Sequence, residues 1–326
     1  MTTIKDVSKL AGVSVATVSR VLNENGYVKE ETKQKVKQSI ETLEYKPNAV
    51  ARSLYNKKSY TIGLIVPDIM NPFFPELARS IEDEMNVHGY TVILCNSDAD
   101  AKKEEHYLDI LKQKYVDGVI FVSHTLKQES IKEWGLPLVA LDRPIGEDIP
   151  SVSVDNRKAA RTAVEYLINK GCQSIAHICG PSFIPNANER YLGYLDAMQN
   201  TNQKNYEELI INGYYQWKEA EKSTYTLLKN NDSIDGIFAG NDIMALGVMK
   251  AAEAAGRKIP KDLQIIGFDG VQISEMLNPE LTTMAQPIYE MGTKACEMLL
   301  ERIEGNQVLE TMSCFETRII ERSSTL

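Results

Sequence analysis

From residue 60 onward the chain alternates between short apolar runs and longer amphipathic stretches. T-I-G-L-I-V-P-D precedes a helical pattern over about 75–88, and T-V-I-L-C-N precedes another near 102–114. G-V-I-F-V and L-P-L-V-A-L-D follow. The pattern repeats with S-V-S-V-D, S-I-A-H-I-C-G, a run over 209–212, G-I-F-A-G, Q-I-I-G-F-D and T-T-M-A-Q. Apolar runs of strand length, separated by amphipathic helices, predict parallel sheets flanked by helices. The repetition predicts two α/β lobes in a body over 60–326. The N-lobe is expected over about 60–160 and 290–320, and the C-lobe over about 161–289 plus the C-terminal end.

At 326 residues the chain has room for this body and one small additional unit. Charge divides along the same line: residues 1–60 carry a balance of +5 and the remainder −14, within a total of −9. An acidic total therefore conceals a basic N-terminal segment, where an anionic polymer would dock. No apolar run approaches the roughly 20 residues that cross a membrane, and M-T-T-I-K-D-V-S has no basic region followed by an apolar one. A water-soluble, cytoplasmic protein without a membrane partner is expected. The five cysteines are scattered and form no C-x-x-C pair, so neither a disulfide framework nor a metal site is suggested.

Within the basic segment, Thr3 caps I-K-D-V-S-K-L-A, with Ile4, Val7, Leu10 and Ala11 at helical spacing and Gly12 as the stop. Ser14 caps a second short helix, V-A-T-V-S-R-V-L-N, in which Val15, Val18 and Leu22 share one side while Ala16, Thr17, Ser19 and Arg20 project elsewhere. A third helix over about 30–43 turns Val36, Ile40 and Leu43 inward and Lys33, Lys35 and Lys37 outward. Two short helices joined at a glycine form a helix-turn-helix, and small polar side chains with an arginine near the start of the second suit base edges in a major groove. A generic three-helix bundle with a solvated lysine face fits charge and periodicity equally well. Next, Pro47 restricts Lys46, and Asn48 can cap A-V-A-R-S-L-Y, a helix too short to be stable alone. This divides the N-terminal part into a 1–46 DNA-binding domain and a 47–59 hinge helix and linker. Leu54 on that hinge either packs on the body or wedges between bases of a minor groove.

I-K-D-V-S-K-L-A-G-V-S-V-A-T-V-S-R-V-L-N, followed by K-P-N-A-V-A-R-S-L, closely resembles the LacI/GalR repressors, and the likeness runs the length of the chain. The resemblance implies an all-α helix-turn-helix headpiece with a hinge helix, and a bilobed α/β body of the periplasmic-binding-protein type. It implies a homodimer on double-stranded palindromic operator DNA. Val15, Ala16 and Thr17 would read bases, Ser19 and Arg20 would contact DNA nearby, and Leu54 would be the wedge. Thr3, Asn48 and Ala51 complete the expected DNA-contacting set. Tyr55 stands where some members carry a basic residue that touches the minor groove, so that contact is not carried over.

Open parallel sheets bind ligands beyond the carboxyl ends of their strands. Polar residues at those ends include Asp68, Asn71, Asp98, Asp142, Arg143, Asn241, Asp269 and Gln286, with Arg190 after the loop that follows S-I-A-H-I-C-G. Mixed acids, amides and arginines satisfy hydroxyls that both donate and accept, and Phe73 and Phe74 offer faces for a ring. Any single Asp or Asn at such a junction can be a helix cap instead, the reading preferred for Asp68 and Asp98. The set is similar to that of ribose-binding proteins, and within the family to ribose-operon repressors. By that likeness Phe73 and Phe74 sandwich the ring while Asn71, Asp142, Arg143, Arg190, Asn241, Asp269 and Gln286 hold hydroxyls. Trp217 or, alternatively, Tyr215 faces them from the second lobe.

No nucleophile-elbow, phosphate-loop, dinucleotide or zinc-protease motif is present, and the four histidines stand apart. A binding protein without cofactor or metal is expected, with a sugar-acting enzyme bearing a DNA-binding head as the distant alternative. Closer alternatives are a purine effector or a phosphorylated carrier protein as corepressor.

Overall fold

A computed structural model describes residues 2–22, 26–45, 58–122, 134–146, 148–199, 201, 203–306 and 311–326. The expected hinge positions Asn48, Ala51 and Leu54 lie outside the described residues. The chain divides into two compact units, 1–60 and 61–326.

In the first unit, α1 (Ile4–Ala11), α2 (Val15–Leu22) and α3 (Glu30–Thr42) enclose a core of Val7, Val18, Val21 and Val36. The Asp6 carboxylate accepts from the Thr3 backbone N–H at 2.8 Å and from its hydroxyl at 2.7 Å, which starts α1. Gly12 ends it at φ +64°, in the left-handed region that glycine enters without penalty. Ser14 then caps α2: its Oγ accepts from Thr17 N at 3.1 Å. Val15 is exposed and Val21 takes the buried place beside Val18, so the apolar face of α2 is rotated from the one expected through Val15.

The second unit holds two six-stranded sheets. The first contains β1 (Thr61–Val66), β2 (Thr91–Asn96), β3 (Gly118–Phe121), β4 (Leu138–Leu141), β5 (Ser151–Val154) and β11 (Met312–Phe315), in the order β11-β5-β4-β3-β1-β2 and parallel throughout. The second contains β6 (Ile175–Cys179), β7 (Ile210–Asn212), β8 (Gly236–Ala239), β9 (Gln264–Asp269), β10 (Thr282–Ala285) and β12 (Arg318–Ile320), in the order β12-β10-β9-β8-β6-β7. Only the pairing of β12 with β10 is antiparallel there.

Strand side chains alternate between faces, so each sheet carries two cores. In the first lobe Ile62, Leu64 and Val66 meet α4 (Phe73–Val87) and α11 (Ile288–Ile303), and Ile273 of the short α10 (Ile273–Met276) packs against the same core. On the other face Ile65, Val119 and Phe121 meet α5 (Ala101–Gln113). In the second lobe Ile175, Phe238 and Phe268 meet α6 (Asn156–Asn169) and α7 (Pro185–Met198). The opposite face, with Ile178, Ile237 and Ile265, meets α8 (Trp217–Asn230) and α9 (Asp242–Ala254).

The chain crosses between the two sheets at three places. S-V-S-V-D supplies β5 of the first sheet, inside the span of 60–160 expected for the first lobe, and the chain crosses at once into α6, capped by Asp155. Ala159, Ala160, Ala163, Val164 and Leu167 of α6 pack in the second lobe, which draws 156–160 across. The later crossings fall at Gln286-Pro287 and between β11 and β12, so the second lobe ends before α11 and regains the chain at Arg318.

Candidate functional site

Between the lobes of the second unit lies a cleft of about 360 Å³. Its wall is built from the turns beyond the carboxyl ends of strands, where polar side chains from several strands can converge. The first lobe supplies Asp68 after β1, Asn71, Phe73 and Phe74 at the start of α4, Asp98 after β2 and Asp142 after β4. The second supplies Asn186 and Arg190 from α7, Tyr214 and Tyr215 after β7, Asn241 after β8, Asp269 at the end of β9 and, at a crossing, Gln286.

Arg190 organises the floor. Its Nε donates to Asn156 Oδ1 at 2.8 Å, and its Nη1 donates to the Gly240 carbonyl at 2.6 Å and to Asp269 Oδ1 at 3.3 Å. The guanidinium lies 3.7 Å above the Phe268 ring. Asp269 Oδ1 also accepts from Gln286 Nε2 at 2.8 Å. Beneath it, Asp242 accepts from Thr283 Oγ1 at 2.6 Å and from the Gly270 and Val271 N–H groups at 2.8 and 3.0 Å, which fixes the turn after β9. Burial pushes the Asp242 carboxyl up to about 8, and the neighbouring charge of Asp269 adds to this.

Asp142 is buried with φ +72°, and its Oδ2 accepts from Asn186 Nδ2 at 2.7 Å. Burial pushes both Asp142 and Asp269 up to about 6, against the opposing pull of Arg190. Among the described residues, Asp142 Oδ1 and Gln286 Oε1 are buried acceptors without a hydrogen-bond partner. A buried acceptor left unpaired costs about 1–3 kcal/mol, so a ligand bearing hydroxyl donors gains by supplying them. Phe73 and Phe74 meet edge to face, centroids 5.2 Å apart, and give the cleft its apolar side. Asn241 caps α9 through Met244 N at 2.8 Å, so this wall residue also serves as a cap.

Eight of the expected ligand residues share this wall: Asn71, Phe73, Phe74, Asp142, Arg190, Asn241, Asp269 and Gln286. Two do not. Arg143, the residue after Asp142, is not part of the wall; burial lowers its guanidinium pKa against the pull of Glu104 and Asp142, and its Nε is buried without a hydrogen-bond partner among the described residues. Trp217 is the first residue of α8 and stacks under the Lys218 and Lys250 ammonium groups, whereas Tyr215 occupies the wall. The Tyr215 ring lies so close to Gly180 that a Cβ there would meet it at 2.5 Å. Asp68 and Asp98 are not helix caps: Asp68 accepts from Met70 N at 2.9 Å, Asp98 pairs with Lys103 at 2.6 Å, and the cap of α5 is Asp100. Asn186 was absent from the expected set, although it stands one helical turn before Arg190.

In the first unit, Val15, Ala16 and Arg20 are exposed on α2, Thr17 and Ser19 are half-buried, and Thr3 is exposed at the start of α1. Val15 and Ala16 thus present an exposed apolar patch, with the Arg20 guanidinium exposed one turn further along α2. The Thr17 hydroxyl is held 2.9 Å from that of Ser14.

Residues 3–48 match the family of bacterial regulatory proteins described as the lacI family, and residues 164–325 match a periplasmic binding protein-like domain. Along its whole length the chain is 47% identical to a ribose operon repressor of Halalkalibacterium halodurans, over 97% of that protein. The lac repressor dimer bound to operator and an anti-inducer superposes with a TM-score of 0.88 at 25% identity, covering 100% of this chain and 99% of that one. A lacI-family regulator of Enterococcus faecium with bound ribose gives 0.74 at 32% identity, over 81% of this chain and 98% of its own.

Proposed function

The chain belongs to the lacI family of bacterial regulatory proteins, and from that premise we propose that it represses a ribose-uptake operon and leaves its operator when ribose fills the cleft. It acts as a homodimer in the cytoplasm, with α2 of each protomer in a major groove of palindromic DNA. Val15, Ala16, Thr17, Ser19 and Arg20 carry the contacts there, Thr3 adds one at the start of α1, and the hinge adds Asn48, Ala51 and Leu54. Paired readers on a palindrome follow from two-fold symmetry, and lysines on α3 neutralise phosphates.

The observation that carries the ligand is the pair of unsatisfied buried acceptors, Asp142 Oδ1 and Gln286 Oε1, on the wall that also holds Phe73 and Phe74. A neutral ring with hydroxyls around its rim satisfies both kinds of surface. A phosphate would find Arg190 already engaged by Asn156, Gly240 and Asp269. Because the wall comes from both lobes, a bound sugar favours the closed spacing by its difference in affinity for the two spacings, and that difference is the free energy available to shift the operator-binding segments.

Calorimetric titration with D-ribose, ribose 5-phosphate, glucose and hypoxanthine, repeated in the presence of operator DNA, tests this. Ribose is expected to bind best, and more weakly when DNA is bound. Ribose bound more tightly with DNA would make it a corepressor. No binding by any of the four would sink the sugar reading in favour of a protein corepressor such as a phosphorylated carrier protein.

A further inference from the structure

Asn186 is the second residue of α7 in the second lobe, yet its side-chain amide reaches a residue of the first. Its Nδ2 donates to Asp142 Oδ2 at 2.7 Å and stands 3.2 Å from the Asp142 main-chain carbonyl. One donor group thus grips both the carboxylate and the backbone of a residue held at φ +72°, a region that non-glycine residues seldom occupy. Both side chains are buried, both line the cleft, and Asp142 Oδ1 is the oxygen left unbonded. One turn further along the same face of α7, Arg190 holds Asp269. The helix therefore presents a neutral donor to the first lobe's carboxylate and a cationic donor to the second lobe's.

We propose that Asn186 is a positioning residue for the ligand: by tying down Asp142 Oδ2 from across the cleft it aims Oδ1 at a sugar hydroxyl, and it links that aim to the spacing of the lobes. A carboxylate that could rotate freely would offer the ligand either oxygen at a cost in order. Held from the opposite lobe, it is in place only when the lobes are close. A second bond between lobes, from Gln272 N to Glu76 Oε1 at 2.8 Å, lies outside the cleft wall and supports the same spacing without touching the ligand. The proposal rests on the cleft being the polyol site argued above.

The groups that face Asp142 are Arg190 and Asn186 from α7, Arg143 beside it, Asp269 at the end of β9 and the Tyr215 phenol after β7. Asn186→Asp keeps the shape and exchanges the donor for a second carboxylate. Two carboxylates at that separation cannot both stay ionised, so the pair takes up a proton as pH falls, and the shared proton restores the bond. Ribose affinity of N186D is expected to fall about 100-fold at pH 8 and to recover at least about tenfold by pH 5.5. The unsubstituted protein should lose affinity over the same interval, because Asp142 and Asp269 become protonated near pH 6 and each turns one oxygen from an acceptor into a donor. Opposite slopes are a signature that mere loosening of α7 does not produce. A ligand-free readout accompanies it: the Asp142 carboxyl, followed by carbon NMR and assigned with D142N, should titrate at higher pH in N186L, since the donor that favours its charged form is gone. Parallel slopes, or an unchanged Asp142 midpoint in N186L, would overturn the role given to Asn186. Absence of sugar binding by the unsubstituted protein would instead overturn the cleft reading, and the carboxyl midpoint would still decide whether Asn186 holds Asp142.

Discussion

The helical unit and the cleft of the body differ in how far apart along the chain their working parts lie. Caps, turn and exposed face of the helix-turn-helix are contained in residues 3–22, and the core behind it is Val7, Val18, Val21 and Val36. The cleft draws its wall from Pro67 to Gln286, from the turns after strands of both sheets and the first turns of α4 and α7. Local information makes a surface that is simple to specify and thinly supported. Long-range convergence makes a site whose members hold one another through buried hydrogen bonds. A change in the first should act through folding of a small core, and a change in the second through loss of a shared network.

The largest effect should follow Arg190→Ala. Arg190 has three hydrogen-bond partners and covers Phe268, and its removal leaves Asp269 as a buried carboxylate without its cation. Breaking a buried pair from one side costs roughly 3–5 kcal/mol. The body should melt earlier by calorimetry and ribose binding should vanish, while amide NMR signals of α1–α3 keep their positions. Displacement of those signals would show that the two regions are not energetically separate.

A mirror-image outcome is expected for Val36→Ala. Val36 is fully buried in a core with few other members, and truncating a buried aliphatic side chain there costs roughly 2 kcal/mol or more. That is a large share of the stability available to so small a unit. Operator binding, followed by fluorescence anisotropy, should weaken at 37 °C and recover on cooling, with ribose affinity unchanged. Ribose affinity lost together with operator binding would break the contrast.

The same contrast explains what was legible in the sequence. Helix caps and the Gly12 stop act within a turn, so α1, α2 and α3 could be read within a residue or two. The alternation of strands and helices gave the two-lobed α/β body, because a buried parallel strand reads as a short continuous apolar run between amphipathic helices. The short strands β11 and β12 were missed, since Met312–Phe315 and Arg318–Ile320 show mixed burial and earn their places only by pairing with β5 and β10. The exchange of Trp217 for Tyr215 turns on Tyr214 and Tyr215, which stand at φ +55° and +57°. Two successive left-handed tyrosines are not foreseeable from composition, and they rotate the loop by which the chain enters α8. Asn186 was missed because its partner is 44 residues away, although its spacing from Arg190 marks a shared helix face.

The smallest effect should come from Asp142→Asn, and its dependence on pH makes it informative. Asp142 has a folded-state midpoint raised to about 6 from an ordinary value of 3.8, chiefly by burial. Below the ordinary value the carboxyl is neutral whether the chain is folded or not, and it neither favours nor opposes folding. As pH rises from there toward 6 the unfolded chain ionises first, so folding is progressively penalised, and above 6 the penalty is constant. Replacing the carboxyl by an amide of the same shape removes that penalty, with Asn186 still able to donate to the new carbonyl. D142N should match the unsubstituted protein near pH 4 and exceed it at pH 7.5 by on the order of 1 kcal/mol, the full shift being discounted for water entering the cleft. Ribose affinity should fall, because Oδ1 is exchanged for a donor where an acceptor is needed. Paired thermal melts at the two pH values, with one sugar titration at the higher, check both halves. A variant less stable than its parent at pH 7.5 would mean that the carboxylate strengthens the fold, and that the cleft does not exchange stability for an acceptor held ready.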